Sequence, residues 1–278
     1  MATTVAYPFS KINMGLHVLE KRADGYHNIE TLFFPHSLSD ILEITDVPGA
    51  PQDVQLFLYG LPVTGPYDAN LCVKAYRLLA ERYKLPPVHI HLYKQIPPGS
   101  GLGGGSSDAA ACLQILNKHY DLGLRHEELL SHAIRLGSDV PFFIQSTPPL
   151  PYFASGKGEV LEPFSLDLSA YRIELRFPPV VISTAEAYTA IKPDSNRVPL
   201  RDLLRQPVDT WRDAIRNDFE TFVFQKYPGT IQYKQSLYEE GAMYASMTCL
   251  LYTSDAADDL LCVDLGGRRI IKKKKTKT

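Results

Sequence analysis

The chain has 278 residues, 45% of them hydrophobic and 22% charged, with a formal net charge of −2. These values fit an ordinary soluble protein of one large or two ordinary domains; they give no basic footprint for nucleic acid, and no apolar run approaches the ~20 residues that span a bilayer. The N-terminus lacks the charged start and apolar core of a signal peptide, and Cys72, Cys112, Cys249 and Cys262 lack metal-ligand spacing, so free thiols and a cytoplasmic location are expected.

In chain order, Phe9 to Glu20 alternates. Ile12, Met14, Leu16 and Val18 share one parity, while Lys11, Asn13, Gly15 and His17 share the other, so a strand would point Lys11 and Asn13 to one face. Asp24-Gly25 signals a turn and Ile29 to Phe34 resumes a β-like run, which predicts a hairpin over Lys11 to Phe34. Ile41 to Ile44 is a further short strand, Ala75 to Tyr83 a helix, and Val88 to Leu92 a half-buried strand.

The segment Pro97, Pro98, Gly99, Ser100, Gly101, Leu102, Gly103, Gly104, Gly105, Ser106, Ser107 follows that strand. Behind it, Ala109, Leu113, Leu116 and Tyr120 recur on one helical face, with Ser106, Ser107 or Asp108 as candidate caps. Strand, glycine loop and helix in succession form an anion site, because backbone N–H groups converge at the helix N-terminus. The loop lacks the Gly-Lys-Ser/Thr of a Walker A motif and the βαβ setting of a dinucleotide fingerprint. A flexible Gly/Ser linker would not be followed at once by an amphipathic helix.

Glu127 to Leu136 reads as a helix stopped by Gly137, and Ser138-Asp139-Val140-Pro141 as the start of another. Ile173 to Phe177 is a strand, and Ser183-Thr-Ala-Glu186 a capping box opening a helix. Arg201 to Leu204, Trp211 to Phe222 and Thr230 to Glu240 follow as helices, and Ala242 to Met247 as a strand. Mixed strands and helices without a βαβ rhythm predict an α+β fold.

Three motifs now stand together: Ser10-Lys-Ile-Asn13 with Arg22-Ala-Asp-Gly-Tyr-His27, the glycine loop, and Leu136-Gly-Ser-Asp-Val-Pro-Phe-Phe143. Together they resemble the GHMP kinase superfamily, and the Asp-Gly-Tyr-His turn resembles its branch that phosphorylates the 2-hydroxyl of a CDP-linked methylerythritol in non-mevalonate isoprenoid synthesis. The resemblance runs from about Pro8 to Met247. It implies a two-domain α+β fold: residues 1–158 as an ATP-binding domain like the second domain of ribosomal protein S5, and 159–248 as an incomplete ferredoxin-like domain.

The same resemblance implies roles. The loop from Pro97 to Ser107 would wrap the phosphates of ATP. Asp139 would be the catalytic base and Lys11 its partner, each favouring the charged form of the other. Asn13 would contact substrate or orient the base, and Tyr26 and His27 would hold the cytidine. Lys94 matches a nucleotide-contacting lysine, and Thr184 a substrate-side residue that also sits in the capping box. Mg²⁺ is implied by ATP chemistry without an assigned ligand, Ser107 being the best candidate. The partner is the small-molecule substrate, with no nucleic acid or membrane, and the chain is expected to be a monomer or homodimer. The alternatives are another GHMP small-molecule kinase, or a nucleotide-binding module inactive through loss of its C-terminal part.

After Thr248 the family pattern, a further glycine-rich segment and a last strand, is replaced. Residues 249–278 look like a translated sequencing-library adapter: TGT CTC TTA TAC ACA TCT GAC GCT GCC GAC reads as Cys249 to Asp258, and a poly-A run as Lys272 to Lys275. Without this tail the chain carries 22 basic and 27 acidic residues. An unpaired sheet edge, and poor stability or activity of the chain as written, are the expected consequences.

Overall fold

The computed structural model describes residues 3–177, 184–248 and 268–273. The predicted hairpin is present as β2 (Phe9–Lys21) against β3 (His27–Ser39), preceded by β1 (Thr3–Ala6). Its first strand keeps Lys11 and Asn13 on one parity, but that parity is not a solvent face. Both parities of β2 are buried from Ser10 to Val18, because other elements cover each face. A register shift between Met14 and Leu16 lets Gly15 bulge at φ +67°, and past it the apolar residues change neighbours. Met14 packs with Trp211 and Leu200, whereas Leu16 and Val18 pack with Phe219 and Val223.

β4 (Ile41–Asp46) and β6 (Val88–Lys94) fall where expected, with β5 (Val54–Gly60) and α1 (Leu71–Ala80) between them. They form a sheet of order β1-β4-β6-β5, in which only β5 and β6 run parallel. One face is covered by α1, α2 (Gly104–His119), α3 (His126–Leu136) and α4 (Val140–Gln145). Ile44, Ile90 and Leu92 there meet Tyr76, Leu79, Leu113 and Phe142 in the largest core.

A second sheet, β2-β3-β7-β8, adds the hairpin β7 (Tyr152–Ser155) and β8 (Val160–Pro163). Its strands pair across residue 158, so the expected domain boundary cuts a continuous hairpin. β9 (Tyr171–Arg176), α5 (Thr184–Ala190), α6 (Leu200–Leu203), α7 (Trp211–Ala214), α8 (Phe219–Lys226), α9 (Gly229–Glu239) and β10 (Tyr244–Met247) follow. The single helix expected over Trp211 to Phe222 is broken into α7 and α8. Between them Arg216 O accepts from Leu16 N at 3.0 Å and Asp218 N donates to Leu16 O at 2.9 Å, so the backbone leaves the helix to bond the β2 bulge.

β11 (Arg268–Lys273) lies between β10 and β9 in the third sheet, antiparallel to both. The expected gap in this sheet is therefore filled at the backbone level by the tail. Two strand edges one strand-width apart present N–H and C=O rows that an extended run satisfies. The rest of the adapter-like reading, 249–267 and 274–278, lies outside the described residues.

Candidate active site

The glycine loop joins β6 to α2, and the helix begins earlier than its serines suggested. Gly103, at φ +72° and ψ 21°, is the N-cap, and no side chain caps the helix. Neither Ser106, Ser107 nor Asp108 is the cap, because a left-handed glycine already turns the chain into the helix. The first backbone N–H groups of α2 are thus left pointing out of its N-terminus, as anion binding requires. Gly99, Gly101 and Gly103 all take positive φ, between 71° and 72°.

β2 delivers Lys11 to this loop. Its backbone N–H donates to Leu102 O at 2.8 Å, and its side chain is fully buried. The ammonium stands 3.2 Å from Asp139 Oδ2, donates to Asn13 Oδ1 at 2.8 Å, and lies 4.7 Å above the Phe33 ring. Asp139 occupies the N-cap position of α4, yet its carboxylate makes no capping hydrogen bond, so a helix cap does not account for it. Pro141 in the first turn removes one of the donors such a cap would serve.

The structure therefore brings Lys11, Asn13, Asp139 and the loop together. Tyr26 and His27 sit at the far end of the same hairpin. There Lys157 Nζ lies 4.6 Å from the Tyr26 ring centroid, and His27 stacks on Tyr188 at 5.2 Å and 28°. Burial, with a smaller push from Lys21, lowers the His27 pKa from its usual value, which favours a neutral imidazole with one donor and one acceptor. Tyr188 and Lys157 escaped the sequence reading. Tyr188 lies one turn after Thr184 on α5, and an aromatic at i+4 from a candidate site residue was the available signal. Thr184 opens α5; its side chain lies outside the described residues, as does Ser183 of the expected capping box.

Lys94, expected to contact the nucleotide, is engaged by other groups of the fold. It is 4% exposed and clamped by two carboxylates, Asp40 and, at 2.7 Å, Asp108. Asp40 Oδ1 also accepts from the backbone N–H of Gln95 and Ile96, at 2.6 and 2.9 Å. A Cβ on Gly104 would come within 3.2 Å of the Lys94 ammonium, so this cluster braces the loop from behind. Burial pushes the Asp108 pKa up to about 7 despite the lysine, and the Asp40 carboxylate adds to the push. Burial works against charge on Lys94, but Asp108 and Asp40 together outweigh it and raise its pKa.

Among the described residues no group of three or more His, Cys, Asp or Glu could hold a metal ion. The Asp139 carboxylate, at the start of α4, and the Ser107 hydroxyl, in the first turn of α2, are two of the oxygen-bearing side chains at this end of the two helices. That sparse set fits Mg²⁺, which keeps several waters and takes its other ligands from phosphates. A surface groove of about 700 Å³, lined by Tyr7, Phe34, Pro149 and their neighbours, includes neither Lys11 nor Asp139.

The layered α+β fold and a lysine–aspartate pair facing a glycine loop define a GHMP kinase. The family described as the GHMP kinases N terminal domain matches residues 70–147. The 4-diphosphocytidyl-2-C-methyl-D-erythritol kinase of Bacteroides thetaiotaomicron is 44% identical over 244 residues, 88% of each chain. That of Azobacteroides pseudotrichonymphae is 46% identical over 245 residues, 88% of this chain and 89% of the relative. A crystal structure of 4-(cytidine 5'-diphospho)-2C-methyl-D-erythritol kinase superposes with a TM-score of 0.72 at 28% identity, over 96% of this chain and 99% of that one. A mevalonate kinase from methicillin-resistant Staphylococcus aureus shares the fold, with a TM-score of 0.63 at 14% identity over 99% and 91% of the two chains. The chain belongs to the 4-diphosphocytidyl-2-C-methyl-D-erythritol kinase family.

Proposed function

We propose that the protein transfers the γ-phosphoryl group of ATP to the 2-hydroxyl of 4-diphosphocytidyl-2-C-methyl-D-erythritol, with Lys11 and Asp139 as its catalytic residues. The observation that carries this reading is the buried Lys11–Asp139 pair, 3.2 Å apart, tied through Leu102 to the glycine loop. The substrate oxygen attacks the γ-phosphorus as the bond to the β-phosphate oxygen breaks; the hydroxyl proton goes to the Asp139 carboxylate, and ADP leaves. Lys11 offsets charge on the phosphoryl oxygens, and the N–H groups of the loop between Gly101 and Ser106 hold the phosphates, those of Ser100 and Ser107 being donated to Pro97 O and Gly103 O. Mg²⁺, when bound with ATP, supplies further charge neutralisation at the phosphates; Ser107 and Asp139 are the residues that would hold it. Tyr26, His27 and Tyr188 would hold the cytosine, with Thr184 on the substrate side.

The test is ADP release with ATP, Mg²⁺ and the cytidyl substrate, with ³¹P NMR to locate the new phosphate. Asp139→Asn should lower kcat by about 10²- to 10⁴-fold, the usual range for a positioned base, while ATP still binds. Turnover of a sugar or amino-acid alcohol instead would favour another GHMP kinase. ATP binding without turnover on any alcohol would favour a binding module. We also propose that the first domain ends after β8 and that the protein works in the cytoplasm as a monomer or homodimer.

Residues 249–278 we propose to be adapter-derived, which rests on Cys249 to Asp258 reading as the translation of an adapter sequence and Lys272 to Lys275 as that of a poly-A run. Sequencing the locus from source DNA tests this, and finding these codons in genomic context would overturn it.

A further inference from the structure

Thr31 lies on β3, fully buried, opposite Leu16 on one side and Ala154 of β7 on the other. Its hydroxyl donates to Gly15 O at 2.7 Å. That carbonyl belongs to the β2 bulge, which needs glycine: φ is +67°, and a Cβ would stand 2.7 Å from Leu200 Cδ1. A carbonyl oxygen only accepts, so the single hydroxyl hydrogen of Thr31 is spent on it.

The Thr31 oxygen can then only accept from its other neighbour. Asn13 Nδ2 stands 2.9 Å away and supplies that hydrogen. The amide's opposite end must therefore be its carbonyl, and Oδ1 is the atom 2.8 Å from Lys11 Nζ. The lysine demands the same orientation, because an ammonium has hydrogens and no acceptor. Two separate partners, a bulge carbonyl relayed through Thr31 and the Lys11 ammonium, thus fix one amide. Asn13 is 1% exposed and its backbone N–H donates to Thr248 Oγ1 at 2.8 Å, so neither its rotamer nor its main chain has room to drift.

We infer that Thr31 is a positioning residue for phosphoryl transfer: it locks the Asn13 amide with its oxygen toward Lys11, and so holds the ammonium in register with Asp139. This rests on the roles proposed above for Lys11 and Asp139. Without the hydroxyl, the buried Asn13 Nδ2 loses its acceptor, the amide is anchored at its oxygen end alone, and it can tilt in search of a new partner, which takes Oδ1 out of line with Lys11 and lets the ammonium drift from Asp139. Misplacement of a reacting group by about 1 Å can cost on the order of 10²-fold in rate.

The experiment compares Thr31→Val, nearly equal in shape, with Thr31→Ser, which keeps the hydroxyl, alone and in an Asn13→Ala background. Thr31→Val should lower kcat about ten- to a hundredfold, with KM for ATP and for the cytidyl substrate within about twofold of the parent. Thr31→Ser should recover most of that loss, and Thr31→Val should add nothing once Asn13 is alanine. Parental kcat in Thr31→Val, or losses that multiply in the double variant, would overturn the proposal. Should Thr31→Val not fold, Thr31→Ala is read by the same comparisons. A second readout is independent of turnover. In ¹⁵N NMR spectra one Asn13 side-chain amide proton should exchange slowly in the parent and fast in Thr31→Val; equal exchange in both overturns the proposal. A parent that shows this protection but no kinase turnover would sink the roles of Lys11 and Asp139 while leaving the Thr31–Asn13 lock standing.

Discussion

Gly103 and Lys11 pack so closely that a Cβ on the glycine would stand 3.1 Å from Lys11 Cγ and 2.8 Å from Phe143 Cζ. The left-handed cap of the glycine loop and the stem of Lys11, the lysine proposed to act in phosphoryl transfer, are therefore one contact. Gly103→Ala should be doubly unfavourable. It asks an L-residue to hold φ +72°, at about 1–2 kcal/mol, and pushes the loop or Lys11 aside. The expected result is a KM for ATP raised at least about tenfold with kcat lowered as well. By contrast Gly105→Ala meets nothing closer than 3.9 Å, inside a helix that favours alanine, and should leave stability unchanged or slightly improved. Kinetics and thermal melts of the pair check this; equal effects would contradict it.

Tyr188 stacks on His27 and is itself propped edge-on by Phe219 at 4.8 Å. If this stack is where the cytosine ring docks, Tyr188→Ala should raise KM for the cytidyl substrate by about ten- to a hundredfold, since stacking on an aromatic contributes roughly 1–3 kcal/mol per base. KM for ATP should stay within about twofold. Tyr188→Phe should behave as the parent, because the ring and not the hydroxyl does the stacking. Steady-state kinetics with each substrate varied would decide it.

Lys94 offers a direct choice between two roles. A nucleotide contact predicts a change in KM for ATP with the fold intact. The buried cluster predicts the reverse, because removing the cation that pairs with both leaves Asp40 and Asp108 facing one another without it. Breaking a buried pair this way costs about 3–5 kcal/mol. Lys94→Met should therefore unfold at clearly lower urea concentration. Asp108→Asn added to it should recover part of the loss by removing one of the two stranded carboxylates. A Lys94→Met protein of parental stability with weakened ATP binding would restore the nucleotide role.

The hairpin, the glycine loop with its helix, and the strand pair β4 and β6 were legible because each is governed by local pattern. The Lys11–Asp139 pair was legible only through motif resemblance: nothing in the spacing of the two residues, 128 positions apart, says that they touch. Three features escaped for tertiary reasons. The Gly15 bulge changes which core the later residues of β2 enter, and a period-two pattern carries no mark of such a shift. The break between α7 and α8 exists because Arg216 and Asp218 bond Leu16 of a distant strand. Lys94 reads from sequence as a polar residue next to a phosphate loop. Only the fold brings Asp40, 54 positions upstream, against it.

His17 gives the protein a pH-sensitive contribution to stability. It is fully buried on β2, and neither ring nitrogen has a hydrogen-bond partner. Burial, and then the Arg197 guanidinium, lower its pKa to about 4, against the opposing pull of Asp218 and Asp194. Glu30, at 4.0 Å, is too far to reverse this, and Arg197 is itself held by Asp218 at 2.7 Å. The unfolded chain binds a proton on this histidine near pH 6.5, while the folded chain does so only near pH 4. Above pH 6.5 the two states hold the same proton count and the contribution is complete. As pH falls from about 6.5 toward 4 the unfolded state gains a proton that the folded state does not, and stability drops, by at most about 3 kcal/mol from this group. Urea unfolding at pH 7.5, 6 and 5 should therefore show a steady loss in the parent. His17→Gln, which cannot titrate, should start lower at pH 7.5 through poorer packing yet lose less between pH 7.5 and 5. Parallel pH profiles for the two proteins would show that another group carries the acid sensitivity.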